Sequence, residues 1–214
     1  MFKLFSDAIG FIVKGGWVMV PLGICSLIAL TIIIERTFFY LSLKKFKKLD
    51  LRKKIFDLVR QDKIKEALEI CDKHPYHLTN ILKAGILHYN DSKEVIQEAM
   101  ENASFYELPI LESHLNFLST LAHVSPLLGL LGTVLGLVKC FYFIEQKTKD
   151  FSMVNPSDIA GGIWEALLTT VAGLCIAIPS YLAYNFFVHK VNSYILETER
   201  ASTELLEILL SNRK

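Results

Sequence analysis

The chain has 214 residues, 52% of them apolar and 21% charged, with 23 Lys and Arg against 22 Asp and Glu. A net charge of +1 gives no global basic field for nucleic acid. The apolar share comes in blocks, which excludes a disordered chain, a secreted disulfide scaffold and a plain soluble globule.

In chain order, residues 1–14 interleave Lys3, Asp7 and Lys14 with Phe2, Leu4, Phe5, Ile9, Phe11, Ile12 and Val13. This pattern is not a cleavable secretory signal, and it predicts a short interfacial helix on the outward side. The twenty residues between Lys14 and Glu35 contain no Asp, Glu, Lys or Arg. A bilayer core of about 30 Å needs roughly 20 helical residues, so the first span falls within 15–43, with Trp17 at the headgroups. Next comes a basic run: Lys44, Lys45, Lys47, Lys48, Arg52, Lys53 and Lys54. The positive-inside rule then places 44–112 in the cytoplasm and the N-terminus in the periplasm. That insert reads as helices, with apolar residues at helical spacing in 55–59 and 64–71, a break at His74-Pro75, and further helices in 78–87 and 94–107. It holds no phosphate-binding glycine loop and no nucleophile–base pair, so packing is its expected role.

Two longer uncharged stretches follow, of 26 residues between Glu112 and Lys139 and 24 between Glu165 and Lys190. They predict a second span over 113–144, a periplasmic loop over 145–157, a third span over 158–188 and a cytoplasmic C-terminal helix over 189–214. The fold class is therefore an all-α integral membrane protein with three transmembrane helices, spans two and three extending into a helical cytoplasmic domain. Cys25, Cys71, Cys140 and Cys175 show no CxxC spacing and have no histidine cluster beside them, so neither a metal nor a disulfide role is indicated, and no cofactor is assigned. G-x-S-x-G, HExxH and paired-aspartate patterns are absent from the sequence, and no catalytic residue is assigned.

Spans two and three are rich in small residues. Ser125, Gly129 and Thr133 share one face, adjoined by Gly132 and Gly136, and Gly173, Ala177 and Ser180 repeat the device. Small residues let helix backbones approach closely in lipid, so these are expected packing seams, and satisfying both requires a multi-helix assembly. Pro126 and Pro179 lie within the two spans, where kinks are expected. An acid inside an apolar span is costly and faces a cavity or a partner, and Glu165 lies about 10 Å inside the third. Thr169 follows it at i+4, and Thr170 is rotated by roughly 140°. With 145 and 158 as loop edges, Thr133 and Thr170 fall at similar depth and Glu165 lies level with residue 138, next to Lys139. Two fates stand open for Lys139: pairing with Glu165, or snorkelling to the outer headgroups, which is preferred. His123, inside span two, is expected as a packed neutral side chain bonded to a backbone carbonyl.

These residues resemble the ExbB/TolQ branch of the MotA/TolQ/ExbB proton-channel family. The resemblance covers nearly the whole chain. It is strongest in FLSTLAHVSPLLGLLGTVLGLVKCF, starting at Phe117, and in GGIWEALLTTVAGLCIAIPSYLAYN, starting at Gly161, with Ile34-Glu35-Arg36 closing span one. The MotA branch fits less well, since its members have an additional span. The resemblance implies a homopentamer in the bacterial inner membrane, with the single-span helices of an ExbD/TolR-like partner in its central pore and a TonB-like or TolA-like protein beyond. It implies pore-facing roles for Glu165, Thr133 and Thr170, with Thr169 a further candidate on the helical wheel. The implied function is a proton-channel subunit that energises outer-membrane transport. The alternatives are a TolQ-like role in outer-membrane integrity and constriction and, in another class, a non-conducting membrane scaffold.

Overall fold

The computed structural model describes residues 15–47, 51–149, 153 and 155–212. Among the described residues the regular structure is all helical: α1 (Met19–Lys47), α2 (Leu51–Arg60), α3 (Ile64–Lys73), α4 (His77–Leu87), α5 (Lys93–Glu112), α6 (Leu115–Lys149) and α7 (Pro156–Ser211). Among the described residues, three helical stretches are long and apolar enough to cross a membrane, in agreement with the three-span reading. The interfacial helix expected over 1–14 lies outside the described residues.

The chain divides into two compact units, Met1–Glu35 with His114–Asn185, and Arg36–Ser113 with Phe186–Lys214. In the first unit, α6 buries Leu115, Leu118, Ala122, Ser125, Gly129, Gly132, Gly136 and Cys140, a stripe stepping by three and four residues. Its other faces expose Leu127, Leu130, Val134, Val138 and Phe141. Large apolar groups outside and small groups within is the arrangement expected of helices packing in lipid, where close backbone approach replaces the hydrophobic effect as the driving force.

The second unit has an ordinary hydrophobic core. Ile55, Phe56 and Val59 of α2, Ala67 and Cys71 of α3, Ile81, Leu82 and Ile86 of α4, and Ile96 and Met100 of α5 close on Ala201, Leu205 and Leu209 of α7. The break at His74-Pro75 is held by Thr79, whose Oγ1 accepts the Tyr76 N–H at 2.9 Å and donates to the carbonyls of His74 at 2.7 Å and Tyr76 at 2.8 Å. Glu107 of α5 pins α4 by accepting from Asn80 Nδ2 at 2.7 Å and contacting His77 Nδ1 at 2.6 Å.

The boundaries differ from expectation in two places. The second span does not continue α5. The helix stops at Glu112, and His114 takes a left-handed φ of 63° before α6 begins. The carbonyls released at that end are capped by side chains, Arg36 Nη1 donating to Ile110 at 3.2 Å and the Tyr40 hydroxyl to Leu111 at 2.7 Å. In addition, α6 runs on to Lys149, into the segment expected as loop, supported by the Glu145–Lys149 ion pair at 2.6 Å. The third span runs on as one long helix, as expected: α7 opens at Pro156, where a missing N–H costs nothing in the first turn, and continues to Ser211.

Candidate functional site

The site lies on the α6–α7 hairpin of the first unit, and its geometry follows from the glycines. A Cβ placed on Gly129 would fall 2.9 Å from the Thr169 carbonyl oxygen, and one on Gly136 would fall 2.9 Å from that of Gly162. One on Gly173 would fall 2.6 Å from the Ser125 carbonyl. Backbone therefore meets backbone along the seam, and only hydrogen fits at these positions. The facing pairs Gly129–Thr170, Gly132–Thr169 and Gly136–Ala166 keep the depth register read from the loop edges to within four residues. Ala177 and Ser180 are buried on the same face of α7, with Ser180 Oγ donating to the Ile176 carbonyl at 2.7 Å. Ser125 Oγ, beside Pro126, donates likewise to Leu121 at 2.7 Å. Each serine satisfies itself inside its own helix and leaves the interface free of unpaired polar groups.

This seam separates the two adjacent threonines. Thr169 is 1% exposed, its side chain filling the notch at Gly132 and its hydroxyl donating to the Ala166 carbonyl at 2.7 Å. Expected alongside the others on a proton route, it is instead sealed within the hairpin, because the 100° step between neighbours turns it toward α6. Thr170 stays half-buried and donates across the seam to the Gly129 carbonyl at 3.2 Å. Thr133 is half-buried on α6 and donates to Leu130 at 2.6 Å. Thr133 and Thr170 thus give their hydrogen to a carbonyl and keep oxygen lone pairs that can accept a proton donor.

Glu165 is the acid of the site, its side chain 22% exposed. Lys139 Nζ donates to Glu165 Oε1 at 2.6 Å from the neighbouring helix, with 53% of the lysine side chain exposed. Pairing is therefore the fate the lysine takes here, over the preferred snorkelling. A carboxylate among apolar residues is expensive unless a cation and hydrogen bonds compensate it, and Lys139 supplies both. The same carboxylate oxygen lies against Gly16, which sequence reasoning passed over. The signal available was the Gly15-Gly16 doublet immediately before Trp17. His123 donates from Nδ1 to the Ser119 carbonyl, 2.7 Å away, and lies edge-on to Tyr181 with ring centroids 6.3 Å apart. The backbone bond is the one expected, but the side chain is exposed, not packed.

The sequence profile of the MotA/TolQ/ExbB proton channel family matches residues 73–200, which include all of these groups except Gly16. An ExbB-like biopolymer transport protein of Synechocystis is 33% identical over 173 residues, covering 81% of this chain and 81% of its own length. The biopolymer transport protein ExbB of Aquifex aeolicus is 43% identical over 55% of this chain and 76% of its own. The Tol-Pal system protein TolQ of Haemophilus influenzae is 42% identical over 44% of this chain and 40% of its own.

Proposed function

The chain belongs to the MotA/TolQ/ExbB proton channel family, and we propose that it is an ExbB-like subunit of an inner-membrane motor driven by the proton motive force. The observation that carries the reading is Glu165, a carboxylate retained inside an apolar hairpin with a cationic partner and with Thr133 and Thr170 on the same two helices. Protons enter at the carboxylate, which holds or releases one, and the threonine oxygens solvate its passage. Each charge moved inward yields about 2.3 kcal/mol per 100 mV, so a few protons supply the work of one mechanical step. No chemical catalysis is required.

Several copies, five in the reading we favour, surround a pore that holds the helices of an ExbD/TolR-like single-span protein, coupled onward to a TonB-like protein. Residues 1–14 and 145–157 face the periplasm, and 44–112 and 189–214 face the cytoplasm, the side that takes the basic run. The ExbB-like role is preferred to the TolQ-like one because matches to ExbB-type proteins reach 81% and 55% of the chain, against 44% for the TolQ match; import of siderophores or vitamin B12 through an outer-membrane receptor is the process it would energise.

Glu165→Gln tests the reading. Proton entry should be lost while the variant still assembles to the wild-type size in detergent. An E165Q protein that assembles and conducts like wild type would leave the scaffold alternative standing instead.

A further inference from the structure

We propose that Gly16 is a positioning residue for conduction: its missing side chain is the space into which the Glu165 carboxylate folds so that it can meet Lys139. Gly16 lies just before α1 in the left-handed region, with φ at 70°. Its carbonyl accepts the Met19 N–H at 3.1 Å, which fixes the turn that starts the helix. A Cβ built on this glycine would collide with Glu165 Oε1 and lie 2.7 Å from Cδ and 3.3 Å from Cγ. The oxygen it would strike is the one that receives Lys139 Nζ. One carboxylate oxygen is therefore bracketed by three segments far apart in sequence: the turn before α1, Lys139 on α6 and its own helix α7.

The obstructed atoms belong to the end of a flexible side chain, so a residue larger than glycine would displace the carboxylate without forcing the helices apart. This sets Gly16 apart from Gly129, Gly136 and Gly173, whose nearest neighbours are backbone oxygens. Glycine at 16 thus meets two demands at once, a positive φ and an empty volume beside the acid.

Gly16 matters for conduction only if Glu165 carries it, so the test runs both in one assay. Variants are expressed in the native host, where any membrane partner is present, and proton entry is read from an intracellular pH-sensitive fluorophore at several external pH values. Gly16→Ala should lower proton entry by roughly fivefold or more, and its pH profile should move in the same direction as that of Lys139→Met. Gly16→Asn should do the same: Asn tolerates a positive φ but brings a Cβ. In a Glu165→Asp background, where the shorter side chain withdraws from the turn, Gly16→Ala should cost less than about twofold. The idea is overturned if Gly16→Ala matches wild type, if Asn restores what Ala loses, or if the Asp background gives no relief. Loss of conduction in Glu165→Gln alongside a silent Gly16→Ala would sink this assignment alone. Normal conduction in Glu165→Gln would sink the channel reading itself.

Discussion

Lys139 and Glu165 meet at 2.6 Å across two helices, yet 53% of the lysine side chain is exposed and only 22% of the glutamate's. The acid is the fixed member of the pair, hemmed in by Gly16, while the lysine reaches it from a more open position. Charge reversal should expose this coupling. Lys139→Glu places two acids together and Glu165→Lys two bases, and each single change should lower the thermal stability of the detergent-solubilised protein by about 1–2 kcal/mol. The double swap should recover most of that loss. Equal instability in all three variants would mean the two charges do not interact.

The hairpin seam should tolerate no added carbon where backbone faces backbone. Gly173→Ala puts a methyl 2.6 Å from the Ser125 carbonyl and 3.2 Å from Gly129 Cα, and should cost about 1–3 kcal/mol, read as a lowered melting temperature. Gly161→Ala, on the same helix with no atom within 4 Å of the new methyl, should be neutral or stabilising.

Thr79 closes the turn before α4 with one hydroxyl, accepting from Tyr76 and sharing its hydrogen between two carbonyls. Thr79→Ala should destabilise the second unit by about 1–2 kcal/mol, while Thr79→Ser should retain most of the stability. Amide hydrogen exchange over His77–Leu87 in the intact protein would show it as faster exchange in the alanine variant only.

Burial, aided by the charge of Asp72 and opposed by that of Lys83, pushes the Cys71 thiol up to about 11. The thiolate is the reactive form, so Cys71 should resist iodoacetamide at pH 8 in the folded protein and react on unfolding. A raised value stabilises the fold while the thiol stays protonated. That contribution is intact below the ordinary thiol value of about 9 and fades as pH rises through about 11. Melting temperature should therefore fall across this window in wild type and less steeply in Cys71→Ala.

Membrane insertion was legible in the sequence because it depends on composition counted along one strand of chain. Three uncharged stretches of sufficient length, the lysine run after the first and the small-residue faces of 125–136 and 173–180 all follow from a bilayer that rejects charge and from helices that need close contact within it. The acid at 165 stood out for the same reason. Even the depth of Lys139 against Glu165 could be counted from the loop edges, because a helix rises evenly.

Azimuth could not be counted in this way. Nothing in α7 alone says whether Thr169 or Thr170 turns toward α6. That choice was made by Gly129 and Gly132, which bring the second helix close enough to enclose one side chain and leave the other half open. Nor does the segment before α1 announce that it meets position 165, since a contact across about 150 residues is fixed only when three helices pack. The break at His114, where α5 could have run straight into α6, was likewise decided by Arg36 and Tyr40 reaching the carbonyls that the break exposes. Periodicity and charge describe how one helix behaves toward its solvent; which of its faces becomes a site depends on the atoms of another helix.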